Sequence, residues 1–407
     1  MNSVIHTRKS VTSTRSGRLR SIHGPIALLV SMFFLFGLIT VFNVVLVPYL
    51  RDFFQLSHEQ AVLVKLSFFA AYFIVALPSS SYINRVGYQG AMVTGLIILA
   101  VGCVSFYPAV MLMSYSLFLL SIIVMASGIT LLQVAANPYL SSLGANETAS
   151  VRLSLAGGFN SMATVLVPLV GADLILSSTA PSASAGYLPY LGLALVVLML
   201  AIITRQIRLP SLEHNQGKFS VGVLAHRNLR LGIIAIFLYV GAEVAVGTLL
   251  IRFLMHEHLL GMSATLATRY ISLYWAGAMI GRIAGVSLLS RINTSNALTF
   301  VGFAAVLLIF IGVNSPAHIA LWAFLAIGLF NSIMWPCIFP LAIKGLHEHT
   351  SVGAGLLIMG VVGGAIIPLV QGMVAGWLDI QISFIVAGFC YAYLIFYGLC
   401  GHKTSAF

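Results

Sequence analysis

Long apolar runs separated by short polar loops follow one another along the whole chain. A helix that crosses a bilayer needs about 20 predominantly apolar residues, and such runs recur through the sequence. The pattern predicts twelve membrane-spanning helices, near residues 25–50, 58–83, 88–109, 114–142, 150–178, 187–207, 228–256, 263–290, 296–314, 317–345, 349–377 and 381–401. We therefore expect an all-α membrane protein with twelve transmembrane helices.

The composition agrees with a membrane protein and excludes a soluble enzyme. Of the 407 residues, 60% are hydrophobic and 7% are charged, whereas soluble domains contain about 25% charged residues. The sequence has no cluster of metal ligands, no nucleophile constellation and no phosphate-binding loop. We therefore expect no catalytic residue, no metal site and no bound cofactor.

The formal charge is +11, and the distribution of the basic residues indicates the orientation of the chain in the membrane rather than a nucleic-acid partner. The predicted loops 110–113, 179–186 and 315–316 contain no basic residue. This asymmetry follows the positive-inside rule and places both termini in the cytoplasm. The tails and loops assigned to the cytoplasm hold 15 of the 20 basic residues: Arg8, Lys9, Arg15, Arg18, Arg20, Arg85, Arg152, Arg205, Arg208, Lys218, Arg227, Arg230, Arg291, Lys344 and Lys403.

The polar segment 208–227 divides the chain into two halves of six predicted spans each. We expect a basic cytoplasmic tail (1–24), a first six-helix bundle (25–207), a cytoplasmic linker (208–227), a second six-helix bundle (228–401) and a short cytoplasmic tail (402–407). A parallel repeat of half the chain is typical of secondary transporters, whose site lies between the halves. Three ordered matches at a nearly constant offset favour a repeat over chance similarity of apolar text: Arg85 with Arg291, Pro138 with Pro340, and Pro168 with Pro368.

Several longer strings make the chain similar to a known family. They resemble the major facilitator superfamily and, within it, the fucose permease and glucose/galactose transporter group. The resemblance implies alternating access between the two halves and uptake of a monosaccharide across a bacterial inner membrane, typically with a proton. We expect a monomer in the lipid bilayer that binds a small-molecule sugar. The strings are FFLFGLITVFNVVLVPYL (33–50), LLQVAANPYL (131–140), RLSLAGGFNSM (152–162), YVGAEV (239–244), GRIAGVSLLSRI (281–292) and FNSIMWPCIFPLAIKGL (330–346).

Amide side chains inside the spans are the candidate sugar ligands. Amides both donate and accept hydrogen bonds, as sugar hydroxyls do, and polar groups in a span normally face the bundle interior or a cavity. The alternative is hydrogen bonding between helices, worth about 0.6 kcal/mol on average. Asn137 is followed by Pro138, which can break the helix, so we expect Asn137 to bond backbone groups that the proline frees. The candidate ligands are Gln133, Asn160, Asn43, Asn331 and Gln371.

Trp335 is the aromatic candidate for the sugar site. A flat ring can pack against the apolar face of a pyranose, although most aromatic residues in spans only pack against other helices. Trp335 precedes Pro336, where a helix can break next to a cavity. We therefore add it to the predicted sugar site.

The expected coupling residues depart from those of the related fucose permease. The strings that correspond to FNVVLVP and LLQVAANP carry an Asp and a Glu in that permease, whereas this chain has Val44 and Gln133. Neither can hold a proton. Glu243 is the acidic residue predicted near the middle of a span, and it is therefore the candidate proton carrier.

Lys65 lies seven residues into the second predicted span and has two interpretations. Its long stem can snorkel to the membrane surface, or its ammonium can be the counter-charge of Glu243. Arg85 and Arg291 end the second span of each half and resemble the gating loops of the superfamily. Asn84 stands where those loops usually carry an acidic partner.

Three functions stay open at this point. The first is a proton-coupled sugar carrier, and the second is a uniporter that lost coupling with Val44 and Gln133. The third is a sugar-sensing receptor that binds without transport. Drug export is a weaker alternative, because a drug exporter is expected to have mostly aliphatic and aromatic residues in its cavity, whereas the candidate residues here are amides.

The charge distribution makes a testable prediction about topology. A single cysteine placed in segment 208–227 or at position 403, in a chain without native cysteines, should react with an impermeant thiol reagent only from the cytoplasmic side. A cysteine in the predicted external segment 179–186 serves as the opposite control. Labelling of position 403 from outside would contradict the orientation.

Overall fold

The structure is a computed structural model that describes residues 23–39, 53–176, 183–207, 209–210 and 221–403. All regular elements within these ranges are helical, as predicted. The α-helices are α1 (His23–Ile39), α2 (His58–Met111), α3 (Tyr115–Ser142), α4 (Ala149–Leu176), α5 (Ala183–Gln206), α6 (Arg227–Met255), α7 (Ala264–Leu289), α8 (Thr294–Asn314), α9 (Ala317–Asn331), α10 (Met334–Ile343), α11 (Thr350–Met359), α12 (Gly363–Trp377) and α13 (Ile385–Phe396).

The helices follow the predicted spans. Within the described ranges, nine helices are long and apolar enough to cross a membrane. The 54 residues of α2 cover two predicted spans, which a non-helical residue, Gly87, separates (φ 80°, ψ 165°). Predicted span ten consists of α9 and α10, and span eleven consists of α11 and α12, which a 3-10 turn at Gly360–Val362 joins. Helical backbone thus occurs in each predicted segment, while the count of twelve crossings stays a prediction.

Pro138 does not end its helix. The helix α3 continues through it to Ser142, where span four was predicted to end. Hydroxyl groups one turn later bind the carbonyls near the proline: Ser141 Oγ donates to Asn137 O (2.9 Å) and Ser142 Oγ donates to Pro138 O (2.8 Å). Both bonds are local contacts within the last two turns of α3.

Helix contacts group the elements on either side of segment 208–227. The helix α2 packs against α3 and α5, whereas α6 packs against α10, α12 and α13. The two groups meet mainly where α4 contacts α7 and α2 contacts α11. Most of segment 208–227 lies outside the described residues, as does the tail before His23, so the proposed domain boundaries stay a prediction.

Two hydrogen bonds between the two groups lie near the end of the molecule where α4 and α8 begin. Ser150 and Thr294, at the first turns of α4 and α8, approach through their hydroxyl oxygens (3.0 Å). Ser351, in the first turn of α11, donates to Asn84 Oδ1 (2.7 Å). Asn84 occupies the position where an acidic partner was expected, and it joins the two groups by a neutral bond. Arg85 and Arg291 are exposed, and their role in gating stays a prediction.

Glycine permits the closest helix contacts. A Cβ at Gly363 would lie 2.0 Å from the backbone oxygen of Phe237 on α6, a distance at which one helix must move. A Cβ at Gly372, on the same helix as Gly363, would meet nothing within 4 Å.

The Gly363→Ala substitution should therefore destabilise the protein by about 1–3 kcal/mol, the usual cost of overpacking. Gly372→Ala is the matched control and should leave stability unchanged or raise it slightly, because alanine favours a helix. Thermal unfolding in detergent, followed by dye labelling of the buried thiols of Cys103, Cys337 and Cys390, measures both variants. Equal melting temperatures would contradict the close contact of α12 with α6.

Candidate functional site

A cavity of about 200 Å³ lies between the two groups of helices. Helices α1 to α4 line one side, and α6, α7, α10 and the turn after α11 line the other. The lining contains Gln133, Asn160, Glu243 and Trp335, four of the residues singled out from the sequence. It also contains Arg282, which the sequence analysis did not single out.

The α3 amides lie side by side on the cavity wall. Gln133 Nε2 donates to Tyr72 Oη (3.1 Å), which fixes the amide against α2. Asn137 Nδ2 donates to the Gln133 backbone oxygen (2.8 Å). Asn137 therefore bonds backbone as predicted, although the carbonyl that Pro138 leaves without an N–H partner is that of Val134. Asn137 also lines the cavity, with one turn of helix separating it from Gln133.

Asn160 reaches the cavity because α1 and α4 pack closely. Its Nδ2 donates to the Phe33 backbone oxygen on α1 (3.0 Å). A Cβ at Gly37, one turn beyond Phe33, would lie 2.0 Å from the backbone oxygen of Asn160. Glycine at this position therefore sets the distance between α1 and the amide of Asn160.

Trp335 joins the two sides of the cavity. Its Nε1 donates to Asn137 Oδ1 on α3 (3.3 Å), and its ring stacks on Phe339 at 5.9 Å between ring centroids. A helix break next to this residue was expected at Pro336. The break instead falls at Ser332 and Ile333, between α9 and α10, and Pro336 lies in the first turn of α10, where its missing N–H costs no helical bond.

Glu243 and Arg282 form an ion pair at the cavity wall. Arg282 Nη2 lies 3.6 Å from Glu243 Oε1, and the side chains are 14% and 13% exposed. Arg282 Nε donates to the Ser332 backbone oxygen (3.3 Å), and Nη1 donates to Ser161 Oγ on α4. Tyr239, one turn before Glu243 on α6, also lines the cavity. Arg282 had a signal in the sequence, since it is a cation well inside an apolar segment.

Lys65 is not the counter-charge of Glu243. Arg282 on α7 occupies that position, and Lys65, half-buried on α2, is absent from the lining. Lys65 lies two turns before Tyr72, the α2 residue in the described lining. Snorkelling of Lys65 to the membrane surface stays a prediction.

Two predicted sugar ligands, Asn331 and Gln371, are absent from the described lining of this cavity. Asn331 is buried and donates to Tyr274 Oη (2.7 Å), because the last residue of α9 faces α7. Gln371 is buried on α12, with no hydrogen-bond partner for either amide atom among the described residues. Asn43 lies outside the described residues. A sugar-binding role for these three residues stays a prediction.

Comparisons with known proteins agree with this architecture. The sequence model described as Major Facilitator Superfamily matches residues 28–368. The chain is 44% identical over 412 residues to a glucose/galactose transporter of Brucella abortus, covering 99% of this chain and 98% of that protein. It is 31% identical to the L-fucose-proton symporter of Escherichia coli, covering 96% of both chains.

Solved structures give the same result. FucP, a Major Facilitator Superfamily transporter in the outward conformation, matches with a TM-score of 0.87 and 30% identity over 93% of this chain and 99% of that chain. The proton:xylose symporter XylE matches with a TM-score of 0.75 at 12% identity, over 95% of this chain and 97% of that chain, and this likeness supports the fold alone. The predicted family and fold class are confirmed, and the chain is a multi-pass membrane protein that belongs to the Major Facilitator Superfamily.

Proposed function

We propose that this protein takes up a monosaccharide by alternating access, together with a proton. The observation that carries the proposal is the cavity between the two helix groups, which combines three amides, an indole and an ionisable pair. A relative at 44% identity is named as a glucose/galactose transporter, and another at 31% as an L-fucose-proton symporter. These names support a hexose or deoxyhexose as substrate.

The size and chemistry of the cavity suit one sugar ring. Its volume is about 200 Å³, which gives space for a small polar ligand such as one sugar ring. Gln133 and Asn160 offer donors and acceptors to hydroxyl groups, and Trp335 offers a flat apolar surface. A ligand in this position contacts both groups of helices at once.

The contacts between the groups suggest which side is closed. Bonds between Ser150 and Thr294, and between Ser351 and Asn84, lie at the ends of the helices that the basic residues assign to the cytoplasm. Similarity to FucP in the outward conformation supports the same assignment. We propose a bacterial inner-membrane location, with both termini cytoplasmic and a monomer as the transporting unit.

Glu243 is the proposed proton site. It is the acidic residue in the described part of the cavity lining, and it lies 3.6 Å from Arg282. Val44 and Gln133 cannot exchange protons, so the uncoupled uniporter is the competing proposal.

Transport by purified protein in proteoliposomes tests the proposal. Uptake of labelled D-glucose, D-galactose, L-fucose, D-mannose and N-acetylglucosamine is measured with and without an imposed pH gradient, acidic outside. Accumulation of one of these sugars above equilibrium is expected only with the gradient. Equilibration without accumulation would favour the uniporter, and binding without uptake would favour a receptor.

Gln133→Ala and Asn160→Ala should each weaken sugar binding about threefold to tenfold, because each removes a hydrogen-bond partner of a buried hydroxyl. Isothermal titration in detergent measures the affinity. Asn314→Ala is the matched control, since Asn314 is an exposed amide on α8 outside this cavity. Unchanged affinity in both cavity variants would remove the two amides from the site.

Glu243→Gln should abolish accumulation driven by a pH gradient and preserve exchange of labelled for unlabelled sugar. Exchange needs no net proton movement, whereas accumulation needs a group that binds and releases a proton. Both are measured in the same vesicles, with the exposed Glu257→Gln as control. If Glu243 only held helices together, its loss would reduce both modes alike, and undiminished accumulation would end its role as proton carrier.

A further inference from the structure

Arg282 is the cation in the cavity wall, and its contacts reach both groups of helices. In its own group it lies 3.6 Å from Glu243 and donates to the Ser332 backbone oxygen. In the other group it donates to Ser161 Oγ, while its own backbone oxygen accepts a bond from Ser154 Oγ (2.8 Å). No other cavity residue is bound in both groups by so many of its atoms, as far as the described part of the chain extends.

The contact with Glu243 is loose. A charge-assisted bond between a guanidinium and a carboxylate usually measures about 2.7–2.9 Å, so a separation of 3.6 Å is an ion pair without a good hydrogen bond. Glu243 Oε1 accordingly has no hydrogen-bond partner among the described residues. A guanidinium carries five N–H groups, and the three contacts of Arg282 leave some of them free to bind a ligand in the cavity.

The charges around Glu243 make this pair decisive for proton binding. The titratable groups that face it are Arg282 and Tyr274 on α7, Tyr239 on its own helix, and Tyr391 on α13. The three phenols are neutral at physiological pH. Within the described ranges, Arg282 is therefore the charged group that loses its counter-charge when Glu243 takes up a proton.

Protonation of Glu243 leaves Arg282 without a counter-charge. Removing one member of a buried pair is strongly unfavourable, because the remaining charge has neither water nor a partner. While the cavity is open, water can solvate the guanidinium. During passage through a closed intermediate, another set of oxygen atoms must replace the carboxylate.

We propose that the sugar supplies those oxygen atoms, so that Arg282 is a sugar-binding residue and makes proton uptake depend on sugar. This inference rests on the proposed function. With no sugar bound, the carrier returns with Glu243 and Arg282 both ionised, so that their charges cancel. With a proton alone, the unpartnered guanidinium opposes closure. With both, hydroxyl oxygens accept from Arg282, and the proton that left external water for the Glu243 carboxylate is released to water on the other side.

Proton uptake on sugar binding tests the proposal. Purified protein in weakly buffered detergent is titrated with D-galactose, D-glucose or L-fucose, while a pH indicator follows protons and equilibrium dialysis follows bound sugar. The unmutated protein should take up protons as it binds sugar. Arg282→Gln should bind severalfold more weakly and lose at least nine tenths of the protons per bound sugar. Arg269→Gln, an exposed arginine on the same helix, should behave as the unmutated protein.

Arg282→Gln leaves the Glu243 carboxylate without a counter-charge, and the variant can therefore fail to fold. A second comparison covers that case. Glu243→Gln mimics the protonated acid and leaves Arg282 free for the sugar, whereas the double variant Glu243→Gln/Arg282→Gln strands no charge. The double variant should bind sugar at least fivefold more weakly than Glu243→Gln.

Two results would overturn the role of Arg282. One is unchanged proton uptake per bound sugar in Arg282→Gln, and the other is equal sugar affinity in Glu243→Gln and the double variant. Failure of the unmutated protein to bind any of the three sugars is a different result, and it would end the proposed function itself.

Discussion

An ionised side chain inside a membrane protein needs water or a counter-charge, and Glu243 and Arg282 supply each other with one at the cavity wall. Residues of both helix groups also bind Arg282 and hold it beside Glu243. The break between α9 and α10 turns a backbone carbonyl at Ser332 towards the guanidinium, and α4 brings Ser161 to it from the other side. The position of the pair therefore depends on how the two groups sit against each other.

The fold could be predicted from the sequence because its signals are long. Runs of about 20 apolar residues fix where helices occur, and loop charges favour one orientation. The role of Asn137 could also be predicted, since the bond to Gln133 O is local and follows from their spacing along one helix. Gln133 and Asn160 line the cavity as predicted, because both their depth in the span and the direction of their helix face place them there.

The remaining site residues depend on helix rotation, which the sequence does not reveal. Asn331 has the depth and chemistry of a ligand, yet it faces Tyr274. Lys65 had the charge expected of a partner, but Arg282 on α7 pairs with Glu243 instead, and the sequence analysis did not single out Arg282. Helix breaks show the same limit, because α3 continues through Pro138 whereas α9 ends without a proline at the break.

Two neutral bonds join the helix groups near the end of the molecule where α4 and α8 begin: a hydroxyl pair at Ser150 and Thr294, and a hydroxyl–amide bond at Ser351 and Asn84. Each such bond contributes about 1 kcal/mol, and neither changes with protonation or is screened by salt as an exposed ion pair would be. Breaking these two bonds therefore requires little free energy, and that free energy does not depend on the acidity or the salt concentration of the surrounding solution.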